Sequence, residues 1–234
     1  MTRIGLLGSK GRMGEWVRKL IPSEFAKSAT LTTTVDRGED LALLRSVDVV
    51  IDFSSPEATL ALARDWSSFK SPALPGLVVG STGWKLDDRK ALEALSDRSA
   101  ILMASNFSPG VLAFLTALKE FSPLMERLGY TPVIVETHHS HKQDAPSGTA
   151  LSLQRAISSA GPGNIQTHSI RAGEVIGDHE VTFYGAGDQI KIAHSAQDRS
   201  IFARGAIEAA IWLSGQAPSG NLIGMETFFK ERYQ

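Results

Sequence analysis

The chain contains no cysteine. Disulfides, thiolate metal sites and thiol nucleophiles are therefore excluded, and a reducing compartment, the cytoplasm, is expected. Neither sign of charge is in excess: 24 Lys and Arg stand against 25 Asp and Glu, a net charge of −1 over 234 residues. Nucleic-acid and membrane-surface proteins usually carry a basic surplus, so neither partner is expected. No apolar run reaches the roughly 18 residues that a bilayer span needs. The first run breaks at Gly8, too soon for a signal-peptide core. Histidine is missing from the first 137 positions. All six histidines lie between His138 and His194, three of them within four residues. The chain is divided chemically, and its 42% hydrophobic content is ample for a packed core.

Strand and helix patterns alternate through the first half. Arg3 to Leu7 reads as a buried strand, and a helix carrying Trp16, Val17, Leu20 and Ile21 follows, ending at Pro22. Further strands are expected at 31–35, 47–53, 77–80 and 100–104, with a helix opening at Ser54-Ser55-Pro56-Glu57. Such alternation implies a parallel sheet with right-handed crossovers. Its functional loops lie at the carboxyl ends of the strands. After Phe107 the texture changes. Helices are expected at 111–124, 147–157 and 203–213, a strand at 132–137, and antiparallel strands at 169–176, 180–184 and 189–193.

Gly8-Ser9-Lys10-Gly11-Arg12-Met13-Gly14 sits between the first strand and the first helix. Glycine lets the backbone turn sharply and approach a pyrophosphate, while the helix N-terminus offers N–H groups and a positive dipole end. Asp36 ends the second strand, where it could bind ribose hydroxyls. Arg37 and Arg12 could hold a 2′-phosphate. The competing reading is an ordinary strand–helix turn with a surface Asp-Arg pair.

Glu136-Thr137-His138-His139-Ser140-His141-Lys142 follows an apolar strand. Three readings compete: a metal site, histidines capping a strand, and a catalytic cluster. Adjacent His138 and His139 and the absence of HExxH count against a metal, and none is expected. Lys142 favours catalysis, since imidazole and ammonium together offer a proton donor and an anion anchor. Asp144-Ala145-Pro146-Ser147-Gly148-Thr149 then opens a helix. Its N-terminus could hold a carboxylate, or could simply be capped by Asp144 or Ser147. A small acidic substrate beside a nucleotide fold suggests hydride transfer.

The run from Thr137 to Ala150 resembles the signature of the 4-hydroxy-tetrahydrodipicolinate reductase family, Glu-x-His-His-x-x-Lys-x-Asp-x-Pro-Ser-Gly-Thr-Ala. The likeness covers essentially the whole chain. Gly8 to Gly14, Asp52-Phe53-Ser54-Ser55-Pro56, Gly80-Ser81-Thr82-Gly83, Ser105-Asn106-Phe107-Ser108-x-Gly110 and Ser169-x-Arg171-x-Gly173-x-x-x-Gly177-x-His179 also match. The resemblance implies an α/β fold: a Rossmann-type dinucleotide-binding domain with a mostly parallel sheet, over 1–107 and 199–234. An α+β substrate-binding and oligomerisation domain, with a mixed or antiparallel sheet, would span 108–198. It implies reduction of a cyclic hydroxylated imine by NADPH or NADH, with loss of water, toward diaminopimelate and lysine. It implies a small dicarboxylate substrate and a homotetramer.

By motif position, His138 would be the acid–base residue and Lys142 the proton donor. His139, Gly148 and Thr149 would bind the dicarboxylate. Gly8, Ser9, Lys10, Gly11, Arg12, Met13, Asp36, Arg37, Gly80, Ser81, Thr82, Ala104, Ser105, Asn106 and Phe107 would line the cofactor, with Arg199 and Phe202 near it. Asp36 stands where the family often has glutamate, and Ser81 where it often has threonine. Asp36 favours ribose hydroxyls and Arg37 and Arg12 a 2′-phosphate, so use of both cofactors is expected. A short-chain dehydrogenase would need Tyr-x-x-x-Lys, and none of Tyr130, Tyr184 and Tyr233 has it. A related small-acid dehydrogenase and a non-enzymatic NADP sensor are the remaining alternatives; the sensor would not need the cluster from His138 to Lys142.

Overall fold

The computed structural model describes residues 1–71, 73–158 and 165–233, all but the side chain of Leu86. It divides into two compact units, Met1–Phe107 with Ser200–Gln234, and Ser108–Arg199. Arg199, expected at the start of the returning segment, lies at the end of the second unit. The first unit opens with β1 (Thr2–Leu7), α1 (Arg12–Glu24), β2 (Ala29–Val35), a 3-10 helix (Leu41–Ser46), β3 (Val49–Asp52), α2 (Pro56–Ser68), β4 (Gly76–Val79), α3 (Leu86–Leu95) and β5 (Ile101–Met103). The second holds α4 (Pro109–Arg127), β6 (Thr131–His138), α5 (Gly148–Ile157), β7 (Gln166–Arg171), β8 (Asp178–Tyr184) and β9 (Gln189–Ser195). The chain then returns to the first through α6 (Ser200–Leu213), β10 (Leu222–Ile223) and α7 (Met225–Tyr233). Among the described residues no helix is long and apolar enough to cross a membrane.

In the first unit six strands pair in the order β10-β5-β4-β3-β1-β2, every pairing parallel. β3 and β4 are buried along their whole length, as continuous apolar strands covered on both faces must be. Val50, Leu77 and Val79 pack with Leu62 and Trp66 of α2 and with Leu92 and Leu95 of α3. Packed against β3 and β4 is α6, which also lies along α1. The chain moves from β1 to β2 on one side and then crosses back to β3 on the other. The carboxyl ends of β1 and β3 therefore flank the point where the strand order reverses, the place where such sheets bind ligands.

The second unit has a four-stranded mixed sheet in the order β7-β6-β8-β9. Helices α4 and α5 supply Val111, Phe114, Leu118, Leu153 and Ile157 to a core with Ile134, Val181 and Phe183. Side chains alternate across a strand, so Ile134, Glu136 and His138 of β6 share one face, and all three are buried.

Several sequence expectations need correction. The segment expected to begin the antiparallel run is β7, and it pairs parallel to β6, from Val133↔Gln166 to His138↔Arg171. It follows β6 through helix α5, and a helical crossover returns the chain in the same direction. Only β8 and β9 are antiparallel to their neighbours. Pro22 does not end α1, and Pro123 lies inside α4, which runs on to Arg127. Each proline lacks the N–H that would bond the carbonyl four residues back, and the helix runs on for only two to four residues beyond it. Helices α3 and α7 and the two-residue β10 had no counterpart in the sequence reading. The exposed face of α3 is dense in charge, and β10 is too short to show a period.

Gly205 of α6 lies against the backbone of Phe107: a Cβ there would come within 1.8 Å of the Phe107 carbonyl oxygen. Gly205→Ala forces the two segments apart. A loss of about 1–3 kcal/mol or more is expected in urea unfolding, whereas Gly187→Ala, which meets nothing within 4 Å, is expected to stay near wild type.

Candidate active site

In the first unit, β1 ends at Leu7 and the chain turns through Gly8, whose φ of +86° suits glycine. The turn is drawn so tight that a Cβ on Gly14 would lie 2.3 Å from the Gly8 carbonyl oxygen. α1 starts at Arg12 with Gly11 as its N-cap, and no side chain caps it. Its first amides are left for another acceptor. Beside this turn lies a cleft of about 700 Å³, lined by Leu7, Gly8 and Gly11, by Asp36 to Glu39, and by Phe53, Ser54 and Ser55. These residues fit a dinucleotide: close backbone for a pyrophosphate, an uncapped helix end, and an acid at the adenosine side.

Asp36 is tied to the turn. Its carboxylate accepts from Ser9 Oγ at 2.6 Å and from the Lys10 amide at 3.1 Å, and its own amide donates to Glu39 Oε2 at 2.8 Å. Burial pushes its pKa up, but the bonds from Ser9 and Lys10 outweigh that and leave it below the ordinary carboxylate value. At the end of β3, Asp52 is wholly buried and accepts from the Ser54 amide at 2.8 Å and from the Ser54 and Thr59 hydroxyls. Burial, only partly offset by those bonds, raises its pKa. Thr59 Oγ1 also lies 3.2 Å from Ser81 Oγ, so one buried carboxyl group braces the loops after β3 and β4.

Of the expected cofactor residues, Gly8, Gly11, Asp36 and Arg37 line this cleft. Ser9 is buried and serves Asp36. Lys10, with Nζ 3.5 Å from Glu39, is exposed. Arg12 and Met13 begin α1, and Gly80, Ser81 and Thr82 follow β4. Ala104, Ser105, Asn106 and Phe107 follow β5; Phe107 is buried edge-on against Phe53. Arg199 and Phe202 are half-buried. The sequence reading missed Glu39, Phe53, Ser54 and Ser55 as cleft residues. The first follows Asp36 closely, and the others stand in the quoted motif after β3.

In the second unit the histidine run begins where β6 ends. His138 is buried, and its Nδ1 meets Glu136 Oε2. Glu136, with no exposure at all, also accepts from Arg171 of β7 at 2.9 Å and from the Ser147 amide at 3.4 Å. Burial pushes the Glu136 pKa up, but Ser169, Arg171 and the charge of His138 prevail and hold it below the usual range. Burial also lowers the pKa of His138; Glu136 opposes this, while Lys142 and Arg171 add to it. His179 of β8 stands edge-on to His138, ring centres 5.1 Å apart, with Nε2 3.4 Å from Ser147 Oγ. Burial, followed by the neighbouring His138, brings its pKa down to about 4.

Around this buried row lie the other expected residues. Lys142 Nζ pairs with Asp144 Oδ1 at 2.8 Å. Arg171 holds the Asp144 and Lys142 carbonyls at 2.6 and 3.3 Å, which fixes the loop carrying both. Ser147 caps α5 by accepting from the Ala150 amide at 3.1 Å, and Gly148 and Thr149 form the first turn. His139 is half-buried, its ring 6.3 Å from that of His141. His138, Lys142, His139, Gly148 and Thr149 thus gather at one end of one sheet. Glu136, Arg171 and His179 were quoted within motifs but given no role. An acid placed between Ile134 and His138 on the buried face was the available signal. Glu136, His138 and His179 also bring ligand atoms within 4.8 Å of one another, but Arg171 already neutralises that carboxylate.

A glycine-turn dinucleotide fold with a buried imidazole cluster in its second unit defines an oxidoreductase dependent on a nicotinamide dinucleotide. The family models for dihydrodipicolinate reductase match the chain over residues 2–107 for the N-terminus and 110–229 for the C-terminus. The chain belongs to this reductase family. It is 40% identical to the 4-hydroxy-tetrahydrodipicolinate reductase of Stenotrophomonas maltophilia, over 92% of this chain and 93% of that protein. With the reductase of Caulobacter vibrioides it shares 33% identity, over 93% of both chains. Its fold is similar to the solved structure of dipicolinate-bound dihydrodipicolinate reductase from Paenisporosarcina sp. TG-14, with a TM-score of 0.72, 20% identity, and coverage of 97% and 99%.

The low pKa of His179 has a consequence for stability. Above pH 6.5 the residue is neutral in both folded and unfolded chains. Between 6.5 and about 4 the unfolded chain binds a proton that the folded chain refuses, so stability falls as pH falls through this window. Urea unfolding at pH 7, 6 and 5 is expected to show a shallower decline for His179→Gln than for wild type.

Proposed function

We propose that this protein reduces 4-hydroxy-tetrahydrodipicolinate to tetrahydrodipicolinate, with release of water, on the route to diaminopimelate and lysine. The observation that carries the reading is the gathering of His138, Lys142 and the α5 N-terminus at one end of the second sheet. NADPH or NADH, bound along the glycine turn, supplies the hydride. The α5 amides at Gly148 and Thr149, with His139, bind the substrate carboxylates; a helix N-terminus suits an anion. Lys142 adds positive charge and serves as proton donor, and His138 as acid–base residue. With Nδ1 held by Glu136, neutral His138 presents Nε2 as an acceptor, and protonated His138 donates from the same atom. The domain roles are proposed with them: residues 1–107 with 200–234 for the dinucleotide, and 108–199, Arg199 included, for the substrate.

The cofactor rim carries both signs of charge. Asp36 and Glu39 favour ribose hydroxyls and disfavour a 2′-phosphate, while Arg37 on the same rim attracts it. Both cofactors are therefore accepted. Removing Arg37 (Arg37→Ala) is expected to weaken NADPH binding about two- to fivefold relative to NADH, the scale of an exposed ion pair, in direct fluorescence titration.

A homotetramer is proposed through the second sheet. Its helix-free face presents Val133, Val135, Ile170 and Tyr184, with Ile170 and Tyr184 each 47% exposed. Light scattering is expected to report a tetramer, and Ile170→Lys with Tyr184→Lys to give smaller species.

The activity is tested by supplying pyruvate, aspartate semialdehyde and the upstream synthase and following NADPH and NADH oxidation in parallel. Turnover is expected with wild type, and a fall of about 10²- to 10⁴-fold in kcat for His138→Gln and Lys142→Ala. Near-normal kcat with only KM raised would defeat the acid–base assignment. Cofactor binding without consumption would favour a sensor.

A further inference from the structure

Glu136 has no exposed surface. It holds His138 Nδ1 through one oxygen. Its other oxygen receives Arg171 at 2.9 Å and the Ser147 amide at 3.4 Å. Arg171 in turn grips the carbonyls of Asp144 and Lys142. The acid–base imidazole, the lysine loop and the start of α5 therefore converge on one carboxylate.

We infer that Glu136 is a positioning residue: it fixes the ring orientation and tautomer of His138 and, through Arg171 and Ser147, the loop of Lys142 and the first turn of α5. The inference rests on the roles proposed for His138 and Lys142. A carboxylate can only accept from a neutral imidazole, so Nδ1 must carry the hydrogen and Nε2 the lone pair. The groups facing His138 are Glu136 on its own strand, Arg171 on β7, His179 on β8 and Lys142 on the following loop. His194 and Asp178 stand one position further, around His179. Of these, Glu136 is the one whose charge favours a proton on His138; Arg171 and Lys142 oppose it.

Glu136→Gln separates positioning from mere packing. Glutamine can still accept from Arg171, but its NH₂ group, turned to His138, donates and reverses the tautomer. The expected result is a fall in kcat of at least about tenfold. The histidine-dependent limb of the pH profile should move to lower pH, because the charge that favoured the proton is gone. A structural role alone would change the amplitude of that profile and leave the position of its limb. The wild-type protein gives a reading that needs no variant. ¹⁵N shifts of the His138 imidazole are expected to show hydrogen on Nδ1 and a bare Nε2 at pH 7.5. Hydrogen on Nε2 in wild type, or Glu136→Gln with kcat and limb unmoved, overturns the inference. If His138→Gln keeps full turnover, the acid–base reading itself fails. If His138→Gln is inactive while Glu136→Gln is unchanged, only the positioning inference fails.

Discussion

The histidine end of the second unit depends on a buried carboxylate, that of Glu136. Burying Glu136 without compensation would be costly, and removing one partner of a buried pair typically costs about 3–5 kcal/mol. The compensation here comes from Arg171, His138, Ser169 and the Ser147 amide. These partners lie on β6, on β7 and at the start of α5. Satisfying the charge and assembling the site are thus one event, and the parallel pairing of β6 with β7 brings Arg171 opposite His138.

The two units solve different problems with different chemistry. In the first, backbone does the work: a positive-φ glycine, a close-packed glycine and an uncapped helix end need few special side chains. Two of its carboxyl groups serve as braces, half-buried Asp36 for the turn and buried Asp52 for the neighbouring loops. The second gathers side-chain charge and titratable rings, and every histidine of the chain is found there. Three of these rings, those of His138, His179 and His194, stand on adjacent strands, His179 directly opposite His194. Burial keeps them neutral near pH 7.

Much of this was legible in the sequence. The alternating strands of the first unit, the glycine turn, and Asp36 at the end of β2 each have a local signature. So do the proline and Ser-Gly-Thr at the start of α5. The direction of β7 was not legible, because its polar residues and the glycines after it, Gly173 and Gly177, look like any hairpin, and only the preceding crossover decides its sense. Nor was the work of Glu136. Its partners come from positions 147, 169 and 171, and no spacing along the chain announces that they meet. Phe107, expected near cofactor, is buried between Phe53 and the close approach of Gly205. A motif identifies the segment and leaves open which side chain faces inward.

The most direct test is a double-mutant cycle between Glu136→Gln and His138→Gln, read in kcat of the coupled reaction. If Glu136 acts through His138, the double variant is no slower than His138→Gln alone, because the imidazole to be oriented is already gone. Losses that multiply would contradict this, and would mean that the carboxylate and the imidazole contribute separately.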